Sequence, residues 1–188
     1  FGGIDFARAS VSPLSNEIPI LNVLQMPYLY RDDEHMWNVL YSEIGDEIFD
    51  DFKDSDIEPL SFYTSGARNF YNSKRPIEDI SDLSGLKIRV QQSELMKDMV
   101  SMLGAEPSAL EYGQVYGAFQ RGVIDGAENN TPSYISALHF QYAMYYTKDE
   151  HTRVPEMQIC SKVTFNKLSK DDKELIKEAA IESSVYER

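Results

Sequence analysis

Apolar and polar residues follow two different periods along this chain, and the alternation of the two periods predicts strands interleaved with helices. The segments with the short apolar runs or two-residue period of strands are Ile4 to Val11, Leu60 to Ser65, Lys87 to Gln91, Val123 to Gly126 and Met157 to Val163. Pro13 to Pro27 carries three prolines and is expected to be an irregular crossover. This alternation favours an α/β fold with mostly parallel sheets.

Between the strands, apolar residues recur three and four positions apart, as they do on one face of a helix. Capping residues, or a cap followed by proline, predict helix starts at Asp32 or Asp33, Ser93, Thr131 and Ser169, and a further helix covers roughly Gln114 to Arg121. The first of these is expected to be one continuous helix with Trp37, Leu40, Ile44 and Ile48 on a single face.

The organisation of the chain favours two lobes joined by strands. No repeat, low-complexity tract or flexible linker interrupts the 188 residues. We predict a first lobe from residues 1–65 and 155–188 and a second lobe from residues 66–154. Because the sequence opens at Phe1 without a methionine, inside a predicted strand, we expect it to be an internal piece of a longer protein.

Composition excludes several classes of partner. A net charge of −13 argues against nucleic acid and anionic membrane, which both require a basic surface. No apolar run approaches the roughly 18 residues that span a bilayer, so no membrane insertion is expected in this segment. The single cysteine, Cys160, is expected to be a buried small hydrophobe. The three histidines lack metal-ligand spacing, so neither a metal nor another cofactor is expected.

The arginines suggest a binding chemistry. A guanidinium presents parallel donors that match a carboxylate, and it stays charged when partly desolvated. Arg89 lies in the middle of an apolar strand. It is therefore expected either to form an internal salt bridge, with Glu128 or Asp125 as partner, or to bind an anionic ligand. Arg68 is either a solvated loop arginine or a second anion contact.

Asn129 stands where a predicted strand ends and a helix begins. Ligands of open α/β sheets bind beyond the carboxyl ends of strands, and a carboxamide can orient a carboxylate or hydroxyl oxygen. The alternative is a simple turn residue. An enzyme with Glu128 or His151 as acid or base also stays open, although no nucleophile elbow, phosphate loop or dinucleotide fingerprint is present.

Several ordered motifs resemble the solute-binding proteins of tripartite ATP-independent periplasmic (TRAP) transporters. They are Gly66 to Asn72, Gly85 to Gln91, Leu103 to Pro107, Tyr112 to Gln120 and Asp125 to Asn130. The resemblance runs from Asp5 to about Ala180 and is most specific in the central third. It implies a two-lobed periplasmic-binding-protein-like fold with a ligand cleft between the lobes. It also implies further segments before Phe1 and after Arg188.

The resemblance assigns ligand-binding roles to individual residues. It implies that Arg89 pairs with the ligand carboxylate, that Arg68 is a second arginine on the carboxylate side, and that Asn129 contacts the ligand. Asn130 departs from the proline that many members carry, which suggests a hydroxyl-rich ligand. Tyr112 falls where the family commonly places an aromatic ring against the carbon chain of the ligand.

Other positions are candidates of the same kind. Ser10 and Arg8, at the end of the first strand, are expected to face the cleft. Tyr71, Asn72 and Tyr134 are weaker candidates to face the cleft, and Tyr71 and Asn72 are also expected to contact ligand hydroxyl groups. For Arg153, a contact with a distal ligand hydroxyl and a purely structural hinge role remain equally open.

The resemblance implies a non-catalytic receptor in the periplasm that closes on a small organic acid and delivers it to the membrane permease subunits of a TRAP transporter. The Gly66–Tyr71 and His151–Glu156 segments are similar to those of members associated with sugar acids. We therefore expect a hexuronate such as glucuronate or galacturonate. A C4-dicarboxylate is the second choice, and an enzyme on a similar two-lobed scaffold is the alternative of a different class.

Overall fold

The computed structural model describes residues 3–188; Phe1 and Gly2, with which the predicted first lobe begins, lie outside the described residues. Its strands are β1 (Phe6–Ser10), β2 (Ile57–Tyr63), β3 (Arg68–Asn72), β4 (Lys87–Val90), β5 (Glu106–Ala109), β6 (Gly126–Asn130), β7 (Tyr145–Thr152) and β8 (Glu156–Ser161). Its α-helices are α1 (Val11–Leu14), α2 (Asp33–Leu40), α3 (Glu43–Asp50), α4 (Glu94–Met102), α5 (Val115–Gln120), α6 (Thr131–Ser136), α7 (Lys162–Phe165) and α8 (Lys170–Glu187). Short 3₁₀ helices cover Pro19–Gln25, Ile80–Leu83, Tyr112–Gln114 and His139–Gln141.

The chain divides into two compact units. Unit 1 consists of the segment that ends at Gln25, Leu29–Ser65 and Val154–Arg188, and unit 2 consists of Met26–Tyr28 and Gly66–Arg153. Each unit has its own sheet and its own core. The unit 1 core includes Leu60, Cys160, Phe165 and Ala180, and the unit 2 core includes Tyr71, Val115, Ala118, Phe119, Ile124, Ala127 and Ala143. The expected burial of Cys160 is confirmed.

The strand directions differ from the prediction of mostly parallel sheets. In unit 1 the order is β1-β8-β2, and both outer strands run antiparallel to β8. In unit 2 the order is β5-β4-β6-β3-β7, with β4 parallel to β5 and β6 but β3 antiparallel to β6 and β7. Strand–helix alternation predicts parallel pairs only between strands joined by a crossover. Here β8 and β3 instead pair with strands from distant parts of the sequence.

The helix predicted from Asp32 or Asp33 through Ile48 is two helices. Asp32 caps α2 as expected, but α2 ends at Leu40, and the side chain of Ser42 accepts a hydrogen bond from the Ile44 amide to cap α3. A Cβ on Gly45 would lie 1.9 Å from the Leu40 carbonyl oxygen. The sharp corner between the helices therefore requires glycine at this position.

The strand β3 was not predicted, because Arg68–Asn72 is too polar to show an apolar period. All its residues are buried, so its polar side chains lie inside the unit rather than on a solvated loop. The strands β5 and β7 also escaped prediction. The strand predicted at Val123 to Gly126 begins only at Gly126, which moves Asn129 and Asn130 into β6. Asn130, rather than Thr131, then caps α6 by accepting from the Ser133 amide.

Replacement of Gly126 by alanine should destabilise unit 2. The added Cβ would lie 2.6 Å from the Tyr71 carbonyl oxygen and 2.7 Å from Ile88 Cδ1, and a backbone oxygen in a central strand cannot move aside easily. Overpacking of this kind typically costs about 1–3 kcal/mol. Chemical denaturation of the full-length protein measures the loss. Gly113→Ala is the control, since no heavy atom lies within 4 Å of its added Cβ; equal losses for the two variants would contradict the packing argument.

Candidate ligand-binding site

The polar residues of unit 2 gather at one end of its sheet. The parallel strands β4 and β6 both end there, and the antiparallel strand β3 begins there. In the register of the sheet, Arg68 lies opposite Asn130, and Arg89 lies opposite Ala127. The fold therefore brings Arg68, Arg89, Asn129 and Asn130 to the sheet end where open α/β sheets bind ligands.

Arg68 forms a buried ion pair with Glu128. Its NH2 group donates to Glu128 Oε1 at 2.8 Å and to the Glu128 carbonyl oxygen at 2.9 Å, and its Nε contacts Glu128 Oε2. Its NH1 group donates to Asn129 Oδ1 at 3.0 Å. The interpretation of Arg68 as a solvated loop arginine is therefore wrong, because its guanidinium is neutralised inside the unit.

Glu128 is held in its charged form despite complete burial. Desolvation opposes ionisation, but the charge of Arg68 and the neighbouring His151 outweigh it and lower the pKa of Glu128 to about 2. His151 Nε2 lies 3.5 Å from Glu128 Oε2, and His151 Nδ1 lies 2.7 Å from Asp149 Oδ2. Such a buried, fully paired carboxylate is poorly suited to act as the general acid or base of an enzyme.

The contacts of Arg68, Glu128, His151 and Asp149 form a continuous set, which we call the charge chain. The His151 ring stacks on the Phe70 ring with centroids 4.4 Å apart. Burial alone would lower the pKa of His151, but the hydrogen bonds and charges of Asp149 and Glu128 overcome burial and raise it. From the sequence, His151 is a candidate only for an acid or base, and Asp149 is not a candidate at all. The spacing of Asp149 and His151 is a weak signal, because their pairing depends on an irregularity in β7.

Arg89 differs from Arg68 because it has no acidic partner. It is 3% exposed, and its Nε and NH2 groups donate to the Leu110 carbonyl oxygen at 2.9 and 2.6 Å. Within residues 3–188, no carboxylate lies within salt-bridge distance of it. The internal-bridge alternative is therefore wrong. Glu128 forms its ion pair with Arg68 instead. Asp125 accepts a hydrogen bond from the Lys87 amide and pairs with Lys74.

The environment of Arg89 disfavours its charge without removing it. Burial lowers the pKa of the guanidinium, and Glu128 counteracts part of this shift. Arginine nevertheless remains protonated in proteins. Nε and one N–H of NH2 donate to the Leu110 carbonyl oxygen. The other edge of the guanidinium, formed by NH1 and the second N–H of NH2, has the two parallel donors that match a carboxylate.

Asn129 and Asn130 have fixed orientations. Asn129 Oδ1 accepts from Arg68 NH1 and, at 2.9 Å, from the Asn130 amide, so its Nδ2 carries the donors that remain. Asn129 and Arg89 belong to the same face of the sheet, because Asn129 lies two positions along β6 from Ala127, the register partner of Arg89. Asn130 uses its Oδ1 to cap α6.

The remaining candidates in unit 2 have different surroundings. Tyr112 is half-exposed, and its hydroxyl donates to the Ser133 carbonyl oxygen at 3.4 Å. Arg153 donates to Glu150 Oε2 at 2.8 Å. Tyr71 is fully buried in the core, with its hydroxyl 2.8 Å from His139 Nδ1. We therefore assign Tyr71 a core role and do not propose direct ligand contact for it.

Two weaker candidates are also occupied by structural hydrogen bonds. Asn72 is fully buried and orders the following turn: its Oδ1 accepts from the amides of Lys74 and Arg75, and its Nδ2 donates to the Arg75 carbonyl oxygen. Tyr134 donates to the Ala143 carbonyl oxygen at 2.8 Å. Neither arrangement supports the ligand contacts predicted for these side chains.

Arg8 and Ser10 lie in unit 1. Arg8 pairs with Glu156 and Glu187 and donates to the Thr64 carbonyl oxygen at 3.0 Å. Ser10 caps α1 by accepting from the Ser12 amide. Both side chains therefore have structural contacts within their own unit, and their ligand roles remain predictions.

The described residues hold no arrangement typical of a metal site or a membrane span. Across residues 3–188, no group of three or more His, Cys, Asp or Glu side chains is placed to hold a metal ion. In the same range, no helix has both the length and the apolar character needed to cross a bilayer.

Comparison with known proteins identifies the family. All of residues 1–188 match the DctP family, described as bacterial extracellular solute-binding protein, family 7. A solute-binding protein of Chromohalobacter salexigens is 36% identical over 187 residues, which is 100% of this chain and 56% of that protein. This chain belongs to the DctP family of bacterial extracellular solute-binding proteins, and it spans a little more than half the length of such relatives.

Solved structures agree with this assignment. A TRAP periplasmic solute-binding protein from Bradyrhizobium sp. BTAi1, in complex with α/β-D-galacturonate, matches with a TM-score of 0.97 and 44% identity. The match covers 100% of this chain and 62% of the Bradyrhizobium chain. Another from Pseudomonas putida F1, with bound D-glucuronate, has a TM-score of 0.95 and 38% identity, with coverages of 100% and 61%. The predicted α/β fold class and TRAP resemblance are confirmed, and the family is one of solute-binding proteins rather than enzymes.

Removal of His151 should change how stability depends on pH. Because the folded-state pKa of His151 is raised, its contribution to stability is fully present below its ordinary pKa of 6.5 and is lost as the pH rises through the folded-state value. His151→Gln should therefore lose less of its thermal stability than the wild type as the pH rises from below 6.5 into the alkaline range.

The measurement is the midpoint of thermal unfolding of the full-length protein across this range. His35→Gln is the control, since His35 is a partly exposed histidine of unit 1 and lies outside this charge chain. Curves for His151→Gln and the wild type that stay parallel across the range would show that His151 carries no such charge coupling.

Proposed function

We propose that the full-length protein is a periplasmic receptor that binds a hexuronate and delivers it to the membrane permease subunits of a TRAP transporter. The observation that carries this proposal is the buried guanidinium of Arg89, which has no carboxylate partner in unit 2. A buried charge is costly unless it is paired. A ligand carboxylate would supply the missing charge and two charge-assisted hydrogen bonds.

The preference for one carboxylate over two follows from Arg68. A dicarboxylate would be favoured by a second cation that lacks an internal anion, but Arg68 is already paired with Glu128 on two nitrogens. Arg68 remains in the proposed site through Asn129, whose carboxamide oxygen it holds. A C4-dicarboxylate receptor therefore remains only a second candidate.

The hydroxyl-recognising part of the site is proposed to include Asn129 and Asn130. With Oδ1 of Asn129 occupied, its Nδ2 would donate to ligand oxygens on the face that Arg89 shares. Tyr112 is proposed to place its half-exposed ring against the carbon skeleton of the sugar. Arg153, Arg8 and Ser10 stay as weaker proposals, because each already has structural contacts.

The bound ligands of the relatives support the substrate class. Galacturonate and glucuronate are bound to the Bradyrhizobium and Pseudomonas proteins, which share 44% and 38% identity with this chain. Both ligands combine one carboxylate with several hydroxyl groups. This is the chemistry that an unpaired arginine beside oriented carboxamide donors would recognise.

Replacement of Arg89 by alanine should weaken hexuronate binding by about 2–5 kcal/mol, because the ligand carboxylate would be desolvated without its partner. Arg89→Lys should also bind poorly, since a single ammonium cannot reproduce two parallel donors. Calorimetric titration of the full-length protein with D-glucuronate measures both effects. Arg121→Ala, which removes an exposed arginine of the same unit, is the control. A change of less than about twofold for the Arg89 variants would refute the proposed role.

A panel of organic acids tests the substrate class directly. The full-length protein should be stabilised against thermal unfolding most strongly by D-glucuronate or D-galacturonate, because bound ligand shifts the unfolding equilibrium by mass action. Succinate and malate should stabilise it less, since they leave the carboxamide donors unpaired. If either dicarboxylate gave the larger shift, the hexuronate assignment would be wrong, whereas family membership would stand.

A further inference from the structure

Met26–Tyr28 has an unusual place in the fold. These three residues, which we call the strap, belong to unit 2, whereas the residues immediately before and after them belong to unit 1. The side chain of Tyr28 is largely exposed, so burial of an apolar side chain does not explain why the strap stays with unit 2. Its specific attachment is a backbone hydrogen bond of 2.9 Å from the Tyr28 amide to the His151 carbonyl oxygen.

The strap binds where β7 is irregular. Along β3 the pairing advances from Arg68 to Phe70, while along β7 it moves from Thr152 back to Thr147, so Lys148 to His151 form a bulge. Bulges turn side chains and carbonyls in new directions and commonly lie beside functional sites. Here the bulge directs the His151 imidazole towards Glu128 and presents its carbonyl groups to the strap.

The bulge is closed internally by two polar side chains. Asp149 Oδ1 accepts from the Phe70 amide at 3.0 Å, and Asn69 Oδ1 accepts from the Glu150 amide at 3.0 Å. These bonds replace the strand pairing that the bulge interrupts. The same Asp149 carboxylate contacts His151 Nδ1 through its second oxygen. The position of His151 is therefore set by the backbone of the bulge as well as by its own side-chain contacts.

Backbone strain lies on both sides of this contact. Tyr28 has a φ of 53° and Glu150 a φ of 47°, in the left-handed region that residues other than glycine rarely occupy. Such strain persists only where the surrounding structure enforces it, and it is frequent at functional sites. In the strap, the left-handed conformation of Tyr28 accompanies its amide bond to His151 and the 3.4 Å contact of its hydroxyl with the Asp149 carbonyl oxygen.

We propose that the strap is a positioning element of the ligand site, with Tyr28 holding the β7 bulge so that His151 stays against Glu128. A continuous set of contacts then connects the strap to the site: Tyr28 to His151, His151 to Glu128, Glu128 to Arg68, and Arg68 to Asn129. Tyr28 touches no ligand in this arrangement. It acts by fixing the charges behind the residues that do, and this inference rests on the proposed function.

The surroundings of His151 make the effect measurable. The charged and titratable groups that face its imidazole are Glu128 from β6, Asp149 from β7 and, through Glu128, Arg68 from β3. The uncharged ring of Phe70 covers one side. If the strap detaches and the bulge relaxes, the imidazole moves away from both carboxylates and its titration shifts downward.

The experiment compares Tyr28→Pro with Tyr28→Gly in the full-length protein. Proline cannot adopt a positive φ and has no amide hydrogen, so it abolishes the bond to His151. Glycine accepts the left-handed conformation and retains the amide, and therefore removes only the side chain. The readouts are the NMR titration of the His151 imidazole and the affinity for D-glucuronate measured by calorimetry.

Tyr28→Pro should lower the titration midpoint of His151 and weaken D-glucuronate binding by about fivefold or more, as for residues of one hydrogen-bonded network. The D-glucuronate affinity of Tyr28→Gly should stay within about twofold of the wild-type affinity. The proposal is overturned if the His151 midpoint of Tyr28→Pro equals that of the wild type, or if Tyr28→Pro binds D-glucuronate no more weakly than Tyr28→Gly does.

The two proposals can fail separately. If the wild-type protein binds neither D-glucuronate nor D-galacturonate, the proposed function fails. The His151 titration requires no ligand and can be measured in either case. A titration midpoint of His151 in Tyr28→Pro equal to that in the wild type would still overturn the positioning role, and a lower midpoint would still support it.

Discussion

The ion pair between Arg68 and Glu128 is the interaction on which the polar end of unit 2 depends. A fully buried carboxylate is tolerated only when it is neutralised and its oxygens are hydrogen-bonded, and Arg68 provides both. His151 is a second neighbour that favours the charged form of Glu128, and it is itself held by Asp149. Removal of Arg68 would leave the Glu128 carboxylate buried without its main counter-charge.

The ion pair matters for function because it leaves Arg89 without an acidic partner. Glu128 acts on Arg89 only through its charge, because it follows Ala127, the register partner of Arg89, and so lies on the other face of the sheet. Because Glu128 is already occupied, Arg89 keeps a guanidinium edge whose charge only a ligand can match. The same pair orients Asn129, so one buried interaction defines both the anionic and the hydroxyl preference that we propose.

The sequence predicts much of this architecture where local chemistry is decisive. Asp32, Ser93 and Ser169 cap helices as expected, and the strand of Arg89 lies where its alternation places it. The polar strand β3 could not be predicted, because burial of Arg68 depends on a partner 60 residues away. Likewise, residue types alone could not decide which arginine takes Glu128, and they could not reveal the β7 bulge that brings His151 to it.

The most direct test is a crystal structure of the full-length protein with bound D-glucuronate. The account predicts that the ligand carboxylate forms two hydrogen bonds with the Arg89 guanidinium, that Arg68 stays paired with Glu128, and that Asn129 Nδ2 donates to the ligand. A carboxylate bound to Arg68 with Glu128 displaced, or a ligand that does not touch Arg89, would contradict it.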